Sequence, residues 1–140
     1  MVHSWIMLSL VTLFGIRVTF AQFSNVECST NYSWTKNIVG ESPCTIASSL
    51  EAQCYPGGFN ISALSSGSWY IGPNTTQANS CECNAVVYSL VSACGACQGS
   101  TWVSWHSWIA ECSNYTSYDL PEAPGIIVPS WAYLSIGVRL

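Results

Sequence analysis

The chain has 140 residues, of which 49% are hydrophobic and 7% are charged, and its formal net charge is −4. This length fits one domain, and so much apolar sequence with so few charges argues against disorder. Lys and Arg together number three, so the chain lacks the basic patch that phosphate contacts need, and nucleic acid is excluded as a partner.

The first 21 residues have the pattern of a secretory signal peptide. An apolar run from Ile6 to Ile16 is too short to span a bilayer, and small residues at Thr19 and Ala21 fit a cleavage site. We expect cleavage after Ala21, which gives a secreted or cell-surface chain; an uncleaved anchor and a buried core segment are the alternatives. The expected division is 1–21 signal peptide, 22–122 cysteine-rich extracellular domain and 123–140 apolar, proline-containing tail.

A first helix is predicted from Pro43 onward, with Ser42 as its N-cap and proline at its first position. A second is predicted after the cap Asn84, ending at Gln98-Gly99. In both, apolar residues and cysteines recur at spacings of three and four, which places them on one face. Between the helices lies a long loop, 59–80, rich in Gly, Ser, Asn and Thr.

A third helix is predicted to begin at Ser100 or Thr101 and to reach Cys112. Its tryptophans, at three-residue spacing, would form one stripe that favours core packing over a binding surface. After it, prolines interrupt regular structure. The tail is too short for a spanning helix and is expected to pack as a strand or remain loose. The tryptophans of the stripe are Trp102, Trp105 and Trp108.

All eight cysteines follow the expected cleavage site, and their even number in a secreted chain predicts four disulfides. Spacing does not select the pairing. The predicted fold class is therefore mainly α: a small, disulfide-stapled helical domain of about three short helices with long irregular loops. The cysteines are Cys28, Cys44, Cys54, Cys81, Cys83, Cys94, Cys97 and Cys112.

Two other uses of the cysteines stay open at this stage. Cys94 and Cys97 have the spacing of a redox pair, although no βαβ pattern precedes them. Cys81 and Cys83 together with that pair have the residue types of a four-thiolate zinc site. Oxidation in the secretory route competes for the same thiols, so structural bridging is favoured and no metal or cofactor is expected.

Four Asn-x-Ser/Thr sequons predict N-glycosylation, which would hydrate a surface that carries few charges. The acceptor asparagines are Asn31, Asn60, Asn74 and Asn114.

The motif Cys81-x-Cys83, continuing through Cys94-x-x-Cys97-Gln-Gly to the tryptophan repeat and Cys112, resembles uncharacterised ectodomains of mushroom-forming fungi. Ser33-Trp-Thr, Ser42-Pro-Cys, Leu50-Glu-Ala-x-Cys54, Gly72-Pro and Pro129-x-Trp-Ala-Tyr-Leu fit the same family. The resemblance covers nearly all of the mature chain. It implies a cell-surface location, with a low-complexity stalk and one membrane helix in longer forms, and it implies no activity.

The stretch from Cys81 to Cys112 is also similar, more weakly, to fungal CFEM domains, which are extracellular helical domains with eight cysteines. That resemblance would imply haem or ligand binding, with haem held in some members by an Asp before the CxC motif. This sequence has no Asp between Cys54 and Cys81, and its one Asp is Asp119.

The function predicted from the sequence is an extracellular binding or adhesion module whose ligand is unknown, with wall polysaccharide or a protein as candidates. Trp34 and Trp69 are the candidate ligand contacts, since indole rings stack on sugar rings. A purely structural glycosylated ectodomain is the alternative. We predict no catalytic residues, because His106 would be the one histidine left after cleavage and the sequence does not pair any two carboxylates. The glutamates considered for a hydrolase are Glu51, Glu82 and Glu111.

Overall fold

A computed structural model describes residues 24–116, 119–120 and 123–136, so the predicted signal peptide lies outside the described residues. These residues form three α-helices, α1 (Pro43–Glu51), α2 (Ala85–Cys97) and α3 (Trp105–Trp108). Three 3₁₀ helices accompany them, at Thr30–Thr35, Ala52–Cys54 and Ser130–Tyr133. No β-strand occurs in the described part of the chain, where one isolated bridge joins Asn84 and Thr116. The prediction of a small, mainly helical, disulfide-stapled domain is confirmed.

Helix α1 begins as its sequence predicts. The Ser42 hydroxyl accepts a hydrogen bond from the Thr45 amide at 3.2 Å, and Pro43 occupies the first turn, where its missing N–H costs nothing. The helix buries its apolar side, including Ile46 and Leu50, against α2. It then tightens into the 3₁₀ turn that carries Cys54.

Helix α2 lies at the centre of the fold. The Asn84 side chain caps it by accepting from the Val86 amide at 2.8 Å and the Val87 amide at 3.3 Å. Buried residues occur on most of its circumference, because α1, the 3₁₀ helices at both chain ends and α3 all contact it. It also carries Cys94 and Cys97, so it is both the hydrophobic core element and the main point of covalent attachment.

The predicted start and end of the third helix are wrong. The helix spans four residues, Trp105–Trp108, and Cys112 lies beyond it. Its cap is Ser104, whose hydroxyl accepts from the Ser107 amide at 3.1 Å. The helix begins here because Ser104 has an extended backbone and caps it, while the segment before it is held to α2 by the Tyr88 hydroxyl, which donates to the Val103 carbonyl at 2.7 Å.

The early part of the expected tryptophan stripe is consequently wrong as well. Trp108 is buried and donates its indole N–H to the Glu82 carbonyl at 2.7 Å, and Trp105 is half-buried. Trp102 precedes the helix and is exposed. Residues that would share one helical face thus end up in different environments.

All eight cysteines form four disulfides: Cys28–Cys97, Cys44–Cys94, Cys54–Cys81 and Cys83–Cys112. Cys94 and Cys97 are bonded to different partners, so they do not form the redox pair that their spacing suggested. The four cysteines considered for zinc are likewise all in disulfides and offer no thiolate. Sulfurs of Cys28, Cys44 and Cys97 lie within 4.8 Å of one another, which reflects two bridges stacked on α2.

The described part of the tail packs on the domain. Ala132, in the last 3₁₀ helix, is buried, and this helix contacts α2. The side-chain Nδ2 of Asn37 donates to the Ile127 carbonyl at 2.9 Å and connects the tail to the loop before α1. None of the helices within the described ranges has the length and apolar character needed to cross a membrane.

Candidate functional site

Two exposed tryptophans from distant parts of the sequence line one groove. Trp34 and Trp102 are 64% and 57% exposed. The groove between them has a volume of about 230 Å³. No charged side chain is among the residues that line it, which are Tyr32, Trp34, Thr35, Ser92, Ala93, Ala96 and Trp102. We call this feature the Trp34–Trp102 groove.

The segment that carries Trp34 is fixed by local contacts. The Thr35 hydroxyl donates to the Tyr32 carbonyl at 2.6 Å inside the 3₁₀ helix. The Trp131 ring meets the Trp34 ring edge to face, with centroids 6.0 Å apart. Just before this helix, the Ser29 amide donates to the Cys97 carbonyl at 2.9 Å. The indole of Trp34 is therefore exposed to solvent yet held on a short, anchored segment.

Small residues of α2 form the floor of the groove. Ser92, Ala93 and Ala96 are half-buried on one side of the helix, where large side chains would fill the space between the two indoles. The groove is apolar, open and uncharged.

Trp69, the second candidate contact named from the sequence, lies in a different cavity. It is 50% exposed. This cavity, the Trp69 cavity, has a volume of about 400 Å³. Its walls are mostly small and polar: Leu64, Ser65, Ser66, Gly67, Ser68, Trp69, Gln98, Gly99, Ser100 and Thr101. The structure thus separates Trp34 from Trp69 and joins Trp34 to Trp102, which the helical-stripe interpretation had assigned to the core.

A third cavity holds a pair of carboxyl groups. Glu51 and Glu82 are 2% and 7% exposed and line a cavity of about 300 Å³. Burial raises the pKa of Glu51 well above its ordinary 4.5, and the charge of Glu82 and a hydrogen bond with it raise that pKa further. Two buried carboxyl groups in contact favour the state in which they share one proton.

Tyr55 completes this polar cluster. Its hydroxyl donates to Oε1 of Glu82 at 3.0 Å. Burial and the neighbouring Glu82 charge raise the pKa of Tyr55 to about 12, so the phenol stays protonated as a donor. Glu82 therefore contacts both a phenol that donates to it and the Glu51 carboxyl, whose pKa is raised.

The sequence offers Glu51 and Glu82 as candidate carboxylates but does not show that they lie next to each other. Glu51 lies one turn before Cys54, and Glu82 directly follows Cys81. The Cys54–Cys81 disulfide, with Cα atoms 6.0 Å apart, brings the two carboxyl groups together. The sequence shows that each glutamate lies close to a cysteine. It predicts the carboxyl pair only if those two cysteines are known to be bonded to each other, which the spacing of the cysteines leaves open.

The remaining residues considered from the sequence are spread over the surface. His106 and Glu111 are exposed and line none of these three cavities. Each of the four sequon asparagines is exposed: Asn31, Asn60, Asn74 and Asn114. Asn74 lines the carboxyl cavity, and Asn114 lines a fourth cavity of about 230 Å³ beside Cys83.

Compared with known proteins, the chain matches no family model, no curated protein and no solved structure.

Proposed function

We propose that this chain is an extracellular carbohydrate-binding module and that the Trp34–Trp102 groove holds the sugar. The observation that carries the proposal is the groove itself: two exposed indoles, far apart in sequence, share one uncharged cleft over small residues. Tryptophan is mostly buried in folded proteins, so a pair of exposed indoles facing one cleft is informative where a single one would not be.

The chemistry of the groove suits a neutral sugar. Pyranose rings present an apolar C–H face that packs on an indole, while their hydroxyls stay hydrated or bond to polar neighbours. An ionic ligand would find no countercharge among the lining residues. The volume of about 230 Å³ lies below that of pockets that enclose drug-sized ligands, roughly 300–1,000 Å³. This fits one or two rings lying on an open surface.

Anchoring of the tryptophan favours binding. Ordering a mobile side chain or loop on association costs about 0.5–1.5 kcal/mol per side chain. Trp34 is held by its 3₁₀ helix and by the edge of Trp131 before any ligand arrives. Part of that ordering cost is therefore already met in the free protein.

The proposed location is outside the cell, in secreted form or on the surface in a longer membrane-anchored form. Support comes from four disulfides that use all eight cysteines, since such frameworks persist in oxidising compartments. The exposure of all four sequon asparagines is compatible with glycosylation on that route. This exposure also favours the second candidate function, a structural ectodomain that displays glycans without binding a ligand.

A hydrolase built on the carboxyl pair has less support. Glycosidases that use two carboxyl groups keep them about 5 Å or more apart, so that a sugar carbon or a water fits between them. Here Glu51 and Glu82 hydrogen-bond to each other. A CFEM-like haem site also gains little, because the Asp that holds haem in some of those domains precedes the CxC motif, whereas Asp119 follows it.

Affinity electrophoresis through gels containing soluble glucan or chitin oligosaccharides tests the proposal, because it detects weak binding. The wild-type protein should be retarded by at least one of these sugars. Trp34→Ala and Trp102→Ala should each weaken binding about tenfold, the loss expected for removing one aromatic stacking partner with its buried area. Tyr115→Ala is the matched control, since Tyr115 is exposed and lies outside the groove. A wild-type protein that migrates unchanged in every gel would leave the structural ectodomain as the better function.

A further inference from the structure

We infer that the Trp69 cavity is a second sugar subsite beside the Trp34–Trp102 groove, so that the ligand is a linear polysaccharide and not a single terminal sugar. This inference rests on the proposed function and specifies its ligand class. It depends on three properties of the cavity: where it lies, what lines it, and how rigidly Trp69 is held.

The cavity lies beside the groove at the C-terminal end of α2. Ala96, in the last turn of α2, lines the groove, whereas Gln98, Gly99 and Ser100, which directly follow the end of the helix at Cys97, line the cavity. Thr101 lines the cavity, and the next residue, Trp102, lines the groove. Because neighbouring residues of one chain segment line the two cavities, a short oligosaccharide is expected to reach both.

The lining of the cavity complements a hydroxylated ring. Trp69 supplies a half-exposed indole, and serine hydroxyls, each able to donate and accept, surround it. As in the groove, no charged side chain is among the lining residues. The two subsites thus offer the same combination of indole and neutral surface, with more hydrogen-bonding groups at the Trp69 end.

The loop that carries Trp69 is tied to the end of α2. The Ser100 hydroxyl donates to the Ser68 carbonyl at 2.5 Å, and the Leu64 amide donates to Oε1 of Gln98 at 2.8 Å. The side-chain Nε2 of Gln98 in turn donates to the Cys94 carbonyl at 2.9 Å. These bonds fix the loop before Trp69, and the Gln98 side-chain Nε2 fixes it after Trp69 by donating to the Tyr70 hydroxyl at 2.9 Å, so the cavity is present before a ligand binds.

Sequon asparagines leave this face open. Asn74 and Asn114 line the carboxyl cavity and the cavity beside Cys83, whereas no sequon asparagine lines the groove or the Trp69 cavity. Asn31 is next to Tyr32 at the border of the groove, so the assay below includes enzymatically deglycosylated protein.

Isothermal titration calorimetry with glucan and chitin oligosaccharides of increasing length tests the inference. Wild-type affinity should rise with length until both subsites are filled. Trp69→Ala should bind the shortest active oligosaccharide like wild type and lose about tenfold on the long ones, which removes the gain with length. Trp69→Tyr, which keeps an aromatic ring, should restore most of that gain. Ile71→Ala is the matched control, because Ile71 is exposed on the same loop and does not line the Trp69 cavity.

The outcomes separate the two proposals. If Trp69→Ala keeps the wild-type gain with length while Trp102→Ala weakens binding at every length, the second subsite is overturned and the carbohydrate-binding function stands. If wild-type protein binds none of the oligosaccharides, glycosylated or deglycosylated, the carbohydrate-binding function fails and the subsite with it.

Discussion

Raising the pH is expected to destabilise the folded chain through the Glu51–Glu82 carboxyl pair. The pKa of Glu51 is raised in the folded state by burial and by Glu82, whereas in the unfolded chain this carboxyl titrates near 4.5. A raised folded-state pKa means that the native protein holds a proton that the unfolded chain has released. Stability from this proton is complete below the unfolded pKa and falls as the pH rises toward the folded one.

The size of the effect follows from one shared proton. Over the interval between the unfolded and folded pKa values, the free energy of unfolding should fall by about 1.4 kcal/mol per pH unit. The carboxyl groups cannot easily move apart, because the Cys54–Cys81 bridge joins the residues beside them. Tyr55, the other titratable group in the cluster, stays neutral over this range because its pKa is raised to about 12.

Urea unfolding at a series of pH values, with the disulfides intact and tryptophan fluorescence as the probe, measures this slope. Urea is preferred to guanidinium because it does not screen charges. Glu51→Gln should abolish the slope, since a neutral amide can donate to Glu82 as the protonated acid does. Above the interval, this variant should be more stable than wild type.

Glu111→Gln is the control, because it removes one exposed carboxylate and changes the net charge equally. It should keep the wild-type slope. A Glu51→Gln protein with the same pH dependence as wild type would refute the shared-proton interpretation, as would a wild-type midpoint that stays constant from acidic to alkaline pH.

Three further predictions concern stability, each read from the urea midpoint. Gly72→Ala should lower the free energy of unfolding by about 3 kcal/mol or more, because a Cβ there would overlap the backbone carbonyl of Trp108, the last residue of α3. Gly57→Ala is its control and should change stability little, because a Cβ at Gly57 would have no atom within 4 Å. Asn84→Ala should cost about 2–4 kcal/mol by removing a buried cap and two donated hydrogen bonds. Asn84→Ser, which keeps an N-cap acceptor and buries no charge, should lose less; equal losses would argue against the cap. Replacing Cys54 and Cys81 together by Ser should cost about 3.6 kcal/mol in the chain-entropy view of a bridge with a separation of 27 residues; an unchanged midpoint would contradict that pairing.

Helices α1 and α2 could be predicted because their capping residues and their apolar spacing favour the same helices that pack together in the folded chain. Ser42, Pro43 and Asn84 set the starts, and the apolar spacing identifies the faces that meet. The bounds of the third helix could not be predicted, because Ser100, Thr101 and Ser104 are all residues that can cap a helix, and the structure uses Ser104. The contact of the Tyr88 hydroxyl with the Val103 carbonyl, which holds the segment before this helix, produces no periodic pattern in the sequence.

The candidate site was predicted in part. Trp34 and Trp69 were named as candidate contacts from the sequence, and both are exposed. Their separation into two cavities, and the place of Trp102 beside Trp34, depend on how the N-terminal segment lies across α2. That arrangement is set by disulfide connectivity, which the spacing of eight cysteines does not determine.

The Cys28–Cys97 bridge links the oxidation state of the protein to its proposed binding surface. Cys28 lies just before the 3₁₀ helix that presents Trp34, and Cys97 lies between Ala96 of the groove floor and Gln98 of the Trp69 cavity. One covalent bond therefore joins the segment with the first indole to the helix end between the two subsites. Trp34 is itself mostly exposed and adds little core burial, so the bridge acts together with buried Thr35, the Trp131 ring and a few backbone contacts to position this segment. A small domain that uses its aromatic residues at the surface has fewer for its core, and disulfides supply the order that the core does not.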